Sequence, residues 1–298
     1  MQEPSRSSIG VRRELALELL HATEAAALAS ARLLGRGDAD RVREVAADAM
    51  RKALDDSGLS ELGMVFEQFP VEGAGQVAAG HPNAVSIIAA VEAGGLAKLP
   101  AVGYVERIVA GPAARGAVDL DDPIADNLRR IAFSRDARVQ DLTVAILDRP
   151  RHKDLVDEVA AAGARIIMLE EGDIAAAVMA SMPGSGIDAA VGVGVLDATL
   201  VAACAVRCLG GALQARLWPR NDEERALAGD AASRVYGVAD LAPAADVAVA
   251  ITGITGGPLL PAVAFGSGYA ESSSLVMSSR HATIRRITTR HHILGDAS

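Results

Sequence analysis

Leu142-Thr143-Val144-Ala145-Ile146-Leu147-Asp148-Arg149-Pro150-Arg151-His152 is the stretch that decides the fold. Its apolar and β-branched run from Leu142 to Leu147 has strand length and stops at an acid. An unbroken run of this kind suits a strand covered on both faces, as in a parallel sheet. Open α/β sheets gather ligands beyond the carboxyl ends of such strands. Pro150 fixes the turn and cannot extend a ladder, so it helps hold Arg149 and Arg151 in place. Guanidinium forks match the oxygens of phosphates or carboxylates, which points to an anionic metabolite. A strand-to-helix loop with solvated arginines fits the stretch equally well.

Working outward, the pattern predicts a helix over 125–133 before this strand. After it come a helix over 153–162, a strand over 164–169, a helix over 173–181, a strand over 188–193 and a helix over 197–208. Such alternation implies a parallel sheet with right-handed crossovers. Three loops then meet on one sheet edge: 148–152, Glu170-Glu171-Gly172-Asp173 and Gly192-Val193-Gly194.

Ahead of Ile124 the rhythm differs. Residues 1–10 read as a polar tail, and Leu15, Leu19, Ala22, Ala26 and Ala29 recur at helical spacing within 11–34. Leu34-Gly35-Arg36-Gly37-Asp38 stops that helix, and a second spans 39–56. Strands follow over 62–67, 83–91 and 101–109, with a glycine-rich connection over 73–80 and a short strand over 117–120. Helices followed by neighbouring strands suggest a layered α+β domain over 11–123, with an α/β domain over 124–298.

Beyond the alternating region, Arg220 to Asp230 reads as a charged surface helix or loop. A strand over 246–252 ends in Thr252-Gly253-Ile254-Thr255-Gly256-Gly257-Pro258, which suits an anion cradle or a structural turn equally. Residues 272–277 and 283–290 form a closing hairpin, and His291 and His292 read as a solvated tail rather than metal ligands. Cys204 and Cys208 share one helix face and read as packing thiols.

Composition sets the bounds. A net charge of -9 in 298 residues argues against nucleic-acid binding. Half the residues are apolar while aromatics make up 3%, which favours close-packed helices and sheets over disorder. No apolar run reaches membrane-spanning length and Met1 to Gly10 lacks a signal-peptide core, so the reading is a cytoplasmic protein with no membrane partner.

The residues also carry a resemblance. Arg13-Glu14-Leu15-Ala16, Thr23-Glu24-Ala25-Ala26, Leu34-Gly35-Arg36-Gly37-Asp38, Ala49-Met50-Arg51, Ala125-Asp126-Asn127-Leu128 and Leu147 to His152 follow one another in order. Glu171-Gly172-Asp173, Ile251-Thr252-Gly253-Ile254-Thr255 and Thr283-Ile284-Arg285-Arg286-Ile287 continue the series. From about Arg12 to Ile293 the chain resembles the class II fructose-1,6-bisphosphatases, metal-dependent sugar phosphatases of the inositol-monophosphatase-like fold. The resemblance implies a layered sugar-phosphatase α/β fold and a phosphosugar pocket. In that pocket Tyr104, Arg149, Pro150, Arg151, Glu171, Gly172, Asp173 and Gly194 would bind substrate, and homo-oligomers would be expected.

The family holds manganese or magnesium with carboxylates from four places. Here Arg43 stands at the first, an aspartate in the second helix. Val65-Phe66-Glu67-Gln68-Phe69 matches an Ile-Gly-Glu-Gly-Glu strand end and keeps one glutamate. Nothing between Phe69 and Asn83 resembles the family's Asp-Pro-Ile-Asp/Glu-Gly-Thr motif, and the segment is short of the family pattern. Ala198 stands at the fourth place, with Asp197 beside it. The expectation is therefore that the metals are lost, leaving no cofactor. A phosphorylated or carboxylated metabolite would still bind, with Glu67, Glu72, Tyr104 and His152 as groups for non-hydrolytic acid-base work. Two alternatives stand beside this: an inactive subunit paired with a paralogue, and a working bisphosphatase with Glu67, Glu72 and Asp197 as substitute ligands.

Overall fold

A computed structural model describes residues 6–59 and 64–292. The chain opens with α1 (Arg6–Ala31), α2 (Ala39–Ser57), β1 (Met64–Glu72), α3 (Ala74–Ala79) and β2 (Val85–Glu92). It continues through β3 (Tyr104–Ala110), α4 (Ile124–Ser134), β4 (Thr143–Leu147), α5 (Lys153–Ala161), β5 (Arg165–Leu169), α6 (Asp173–Ser181), β6 (Ala189–Val195) and α7 (Leu196–Leu209). Then come β7 (Ala212–Leu217), α8 (Asp222–Ala228), β8 (Tyr236–Gly237), α9 (Val238–Leu241), β9 (Val247–Gly253), β10 (Ala264–Gly266), β11 (Tyr269–Ser278) and β12 (Thr283–His292). The fold is α/β: helices on an antiparallel sheet, and a mixed sheet with parallel strands.

These elements form two units, Met1–Ala93 with Asp246–Ser298, and Gly94–Ala245. This differs from a division between residues 123 and 124. Strand pairing is the reason: β9 inserts beside β2, drawing the closing strands into the first unit, while β3 pairs with β6 and β7 in the second.

In the first unit the sheet order is β1-β2-β9-β11-β10, with β12 on β11. β1 is an edge strand, the place where Pro70 costs no central ladder bond, and its register shifts between Phe69 and Glu72. Leu19, Ala22, Ala26, Ala46 and Met50 of α1 and α2 bury against Ile88, Ala90, Ala250 and Val276 of the sheet. The alanines let helix and sheet approach closely. Asp38 caps α2 by accepting from the Arg41 N–H at 2.9 Å, and Gly58 ends it at φ 68.

The second sheet has the order β5-β4-β6-β3-β7-β8. β4 is parallel to β5 and β6 as its alternation with helices predicts, but β3 and β7 run antiparallel beside them. Leu128, Ile131, Leu142, Val144, Ile146 and Val159 build the core between α4, α5 and this sheet. Cys204 and Cys208 lie buried in α7, as packing thiols should.

Several local expectations change. The glycine-rich connection folds into α3, entered through Gly73 at φ 94. Residues 117–120 form no strand, because buried Asn127 takes up that loop's main chain by bonding Asp119 N at 2.8 Å and Asp119 O at 2.7 Å. His291 and His292 belong to β12 rather than a tail, with His291 Nε2 2.8 Å from Ser272 Oγ. Residues 1–5 of the expected tail, Leu62 and Gly63 of the first expected strand, and Ile293 lie outside the described residues.

Candidate functional site

One edge of the second sheet collects the carboxyl ends of β4, β5, β6 and β7 and the start of β3. The three loops expected to meet there do meet. Arg149, after β4, donates to the Glu170 carbonyl after β5 at 2.8 Å and to the Asp148 carbonyl at 2.7 Å. Arg151 donates to the Val193 carbonyl of β6 at 2.8 Å. Both guanidinium groups are thus fixed by neutral main chain, and among the described residues neither sits in an ion pair. Pro150 opens the single 3-10 turn between them and α5.

His152 closes that turn and is 2% exposed. Its Nε2 accepts the Val193 N–H at 2.8 Å, so Nδ1 carries the proton and donates to the Leu147 carbonyl at 2.7 Å. Burial, assisted by Arg151 and Arg149, holds its pKa below the ordinary value. The ring is a neutral clip between β4 and β6, with no nitrogen spare for a substrate proton. Gly192, at φ 124, makes room: a Cβ there would meet His152 Nε2 at 2.9 Å.

Asp173 begins α6 behind Gly172, which takes φ 101. Its carboxylate is ion-paired with Arg107, which is 3% exposed and also donates to Thr199 Oγ1 of α7 at 2.7 Å. Gly194 leaves the space for this pair, since a Cβ there would strike the Asp173 carboxylate. Glu171 is half-buried on the same turn. Arg107 belongs to Tyr104-Val105-Glu106-Arg107, the segment that resembles the family's tyrosine before a Glu-Lys/Arg pair, and its partner is Asp173. Arg107 puts a charge at an inward position of an otherwise apolar strand. Glu106, its neighbour, faces the other way and pairs with Arg216 at 2.9 Å, as strand alternation requires.

Tyr104, half-buried at the start of β3, has the Arg151 and Arg220 guanidiniums 5.3 and 4.8 Å from its ring centroid. Glu67 and Glu72 lie in the first unit, on β1. Within the second unit, Tyr104 rather than His152 is the acid-base candidate whose side chain stands with the arginines on this edge.

By fold and site, this is an α/β protein whose second sheet presents fixed guanidinium groups suited to a phosphate ester. More particularly, the chain belongs to the family described as bacterial fructose-1,6-bisphosphatase, glpX-encoded, which it matches over residues 13–66 and 64–291. It is 34% identical to the D-fructose 1,6-bisphosphatase class 2/sedoheptulose 1,7-bisphosphatase of Synechococcus sp. (strain JA-3-3Ab), across 93% of this chain and 95% of that one. With the fructose-1,6-bisphosphatase 1 class 2 of Escherichia coli (strain K12) it shares 32% identity, across 95% and 96%.

The two matched segments meet at residues 64–66, where β1 begins. The Synechococcus alignment runs over 332 positions, more than the 298 residues here, so that relative carries residues without a counterpart. This relocates the shortfall to the front of β1. By spacing, Phe69-Pro70-Val71-Glu72-Gly73-Ala74 can be set against Asp-Pro-Ile-Asp/Glu-Gly-Thr, sharing the proline, second acid and glycine. In that register Phe69 would fall at the first aspartate and Ala74 at the threonine.

A divalent cation of the family's kind needs several oxygen ligands brought together. Within neither unit do three His, Cys, Asp or Glu side chains among the described residues make such a group. Arg43, which the resemblance sets at the first ligand place, is paired with Asp40 on the exposed face of α2 at 2.6 Å.

Proposed function

We propose that this chain binds a phosphorylated sugar at the arginine edge of its second unit and no longer hydrolyses it through metal ions. The observation that carries the binding half is the fixed, un-neutralised pair Arg149 and Arg151. A dianionic phosphate monoester would complete both forks in charge-assisted hydrogen bonds. The relatives' names, fructose 1,6-bisphosphatase and sedoheptulose 1,7-bisphosphatase, make a sugar bisphosphate or its monophosphate product the first ligand to try.

The lost chemistry rests on the donor set. Phe69, Ala74 and Arg43 replace an acid, a hydroxyl and an acid at places where the family needs oxygen. A phenyl ring cannot ligate a hard cation, and a guanidinium repels one. Glu72, kept beside Gly73, favours a second reading, a working bisphosphatase with a rebuilt ligand set.

The deciding experiment pairs elemental analysis with phosphate release from fructose 1,6-bisphosphate, with and without manganese or magnesium. We expect no stoichiometric metal and no turnover. Fructose 6-phosphate should raise the melting temperature, and Arg151→Ala should abolish that rise. Metal-dependent turnover would overturn the first reading and establish the second.

A further inference from the structure

Leu217-Trp218-Pro219-Arg220, at the end of β7, brings a third arginine to the same edge. The Trp218 N–H donates to the Tyr104 carbonyl at 2.9 Å, tying the end of β7 to the start of β3. Arg220 thereby reaches the Tyr104 ring from β7, while Arg151 reaches it from the loop after β4.

Arg220 is held in place. Glu224, 8% exposed, takes its Nε at 3.0 Å and its main-chain N–H at 2.8 Å, and also bonds Nη2. Glu224 is itself fixed, its N–H bonded to Asn221 Oδ1 at 2.8 Å. The Nη1 amino group lies outside the contact with Glu224. A buried carboxylate spent on a half-exposed arginine orients that side chain rather than letting it wander. Two guanidinium groups on one ring repel each other, and one carboxylate leaves the group one positive charge in excess.

We propose that Arg220 is a ligand-contact residue that grips the phosphate group of a sugar phosphate together with Arg151, with the Tyr104 ring between them. This rests on the reading of the edge as a phosphate site. A phosphate monoester supplies the missing negative charge and oxygens enough for two forks. The phenol of Tyr104 offers a donor and acceptor to a sugar hydroxyl. Glu224 is the positioning residue for Arg220.

The test is calorimetric titration of the full-length protein with fructose 6-phosphate, inorganic phosphate and, as a neutral control, fructose. Arg220→Gln should weaken both phosphate ligands about tenfold or more, as loss of a charged hydrogen-bond partner does. Arg220→Lys, with the charge but not the fork, should fall between. Glu224→Gln should weaken binding in the wild-type background and add nothing in Arg220→Gln, a non-additivity that general loosening of α8 would not give. Unchanged affinity in Arg220→Gln, beside abolished binding in Arg151→Gln, would overturn the role of Arg220 and leave the phosphate site standing. A loss for fructose 6-phosphate alone would put Arg220 on the sugar and overturn the grip on phosphate. Should Arg220→Gln fail to fold, unchanged affinity in Arg220→Lys overturns the proposal. A wild-type protein that binds neither phosphate nor fructose 6-phosphate overturns both readings.

Discussion

His152 gives both ring nitrogens to main chain, and that determines its response to acid. Its folded pKa lies below the ordinary 6.5, so between the two values the unfolded chain binds the extra proton. The stability it supplies is therefore complete above about pH 6.5 and drains as pH falls towards the folded value. Protonation also turns Nε2 into a donor facing the Val193 N–H. Melting temperatures from about pH 8 to about pH 5 should fall more steeply for the wild type than for His152→Asn; parallel profiles would remove this role. At this scale the sequence was legible in part. Arg149 and Arg151 stood out because a proline between two arginines at a strand end is a local pattern. The Arg107–Asp173 pair joins residues far apart in the chain, and no local spacing signals which strand position will meet which helix start.

The turn from β4 to α5 is tied to β6 by the side chains of His152 and Arg151, and Gly192 sets how close the imidazole comes. Gly192→Ala would strain a φ of 124 and push a methyl against the imidazole, costing about 2 kcal/mol. Urea unfolding reads that loss, and a variant as stable as the wild type would refute the close approach. The elements with strong periodicity were legible: α2, α5, α6 and α7, and strands β2, β4 and β9, lie within a few residues of their sequence bounds. β7 was missed because it is short and follows a helix of similar alanine-rich composition. α3 was misread as a connection because its glycines stand at the caps, Gly73 and Gly80, where glycine belongs.

For the molecule as a whole, no local pattern signals that the first unit is made of two distant pieces. Hydropathy marks strands but not their neighbours, and β9 reads the same whether it joins β2 or β6. The second unit is one continuous segment, Gly94–Ala245, with its own sheet and core. Expressed alone, it should fold cooperatively and keep the fructose 6-phosphate response if the arginine edge suffices for binding. A folded segment that ignores the ligand would put part of the site in the remaining chain.

The split also shapes how the protein is born. β2 is apolar from Ile87 to Val91, and its inner neighbour β9 leaves the ribosome only after the whole of Gly94–Ala245. At ordinary elongation rates of about 5–20 residues per second that wait lasts roughly 10 to 30 s. During it the nascent chain carries an unpaired hydrophobic edge beside an already completed neighbour. Slow codons or chaperone contacts would act most strongly on that interval.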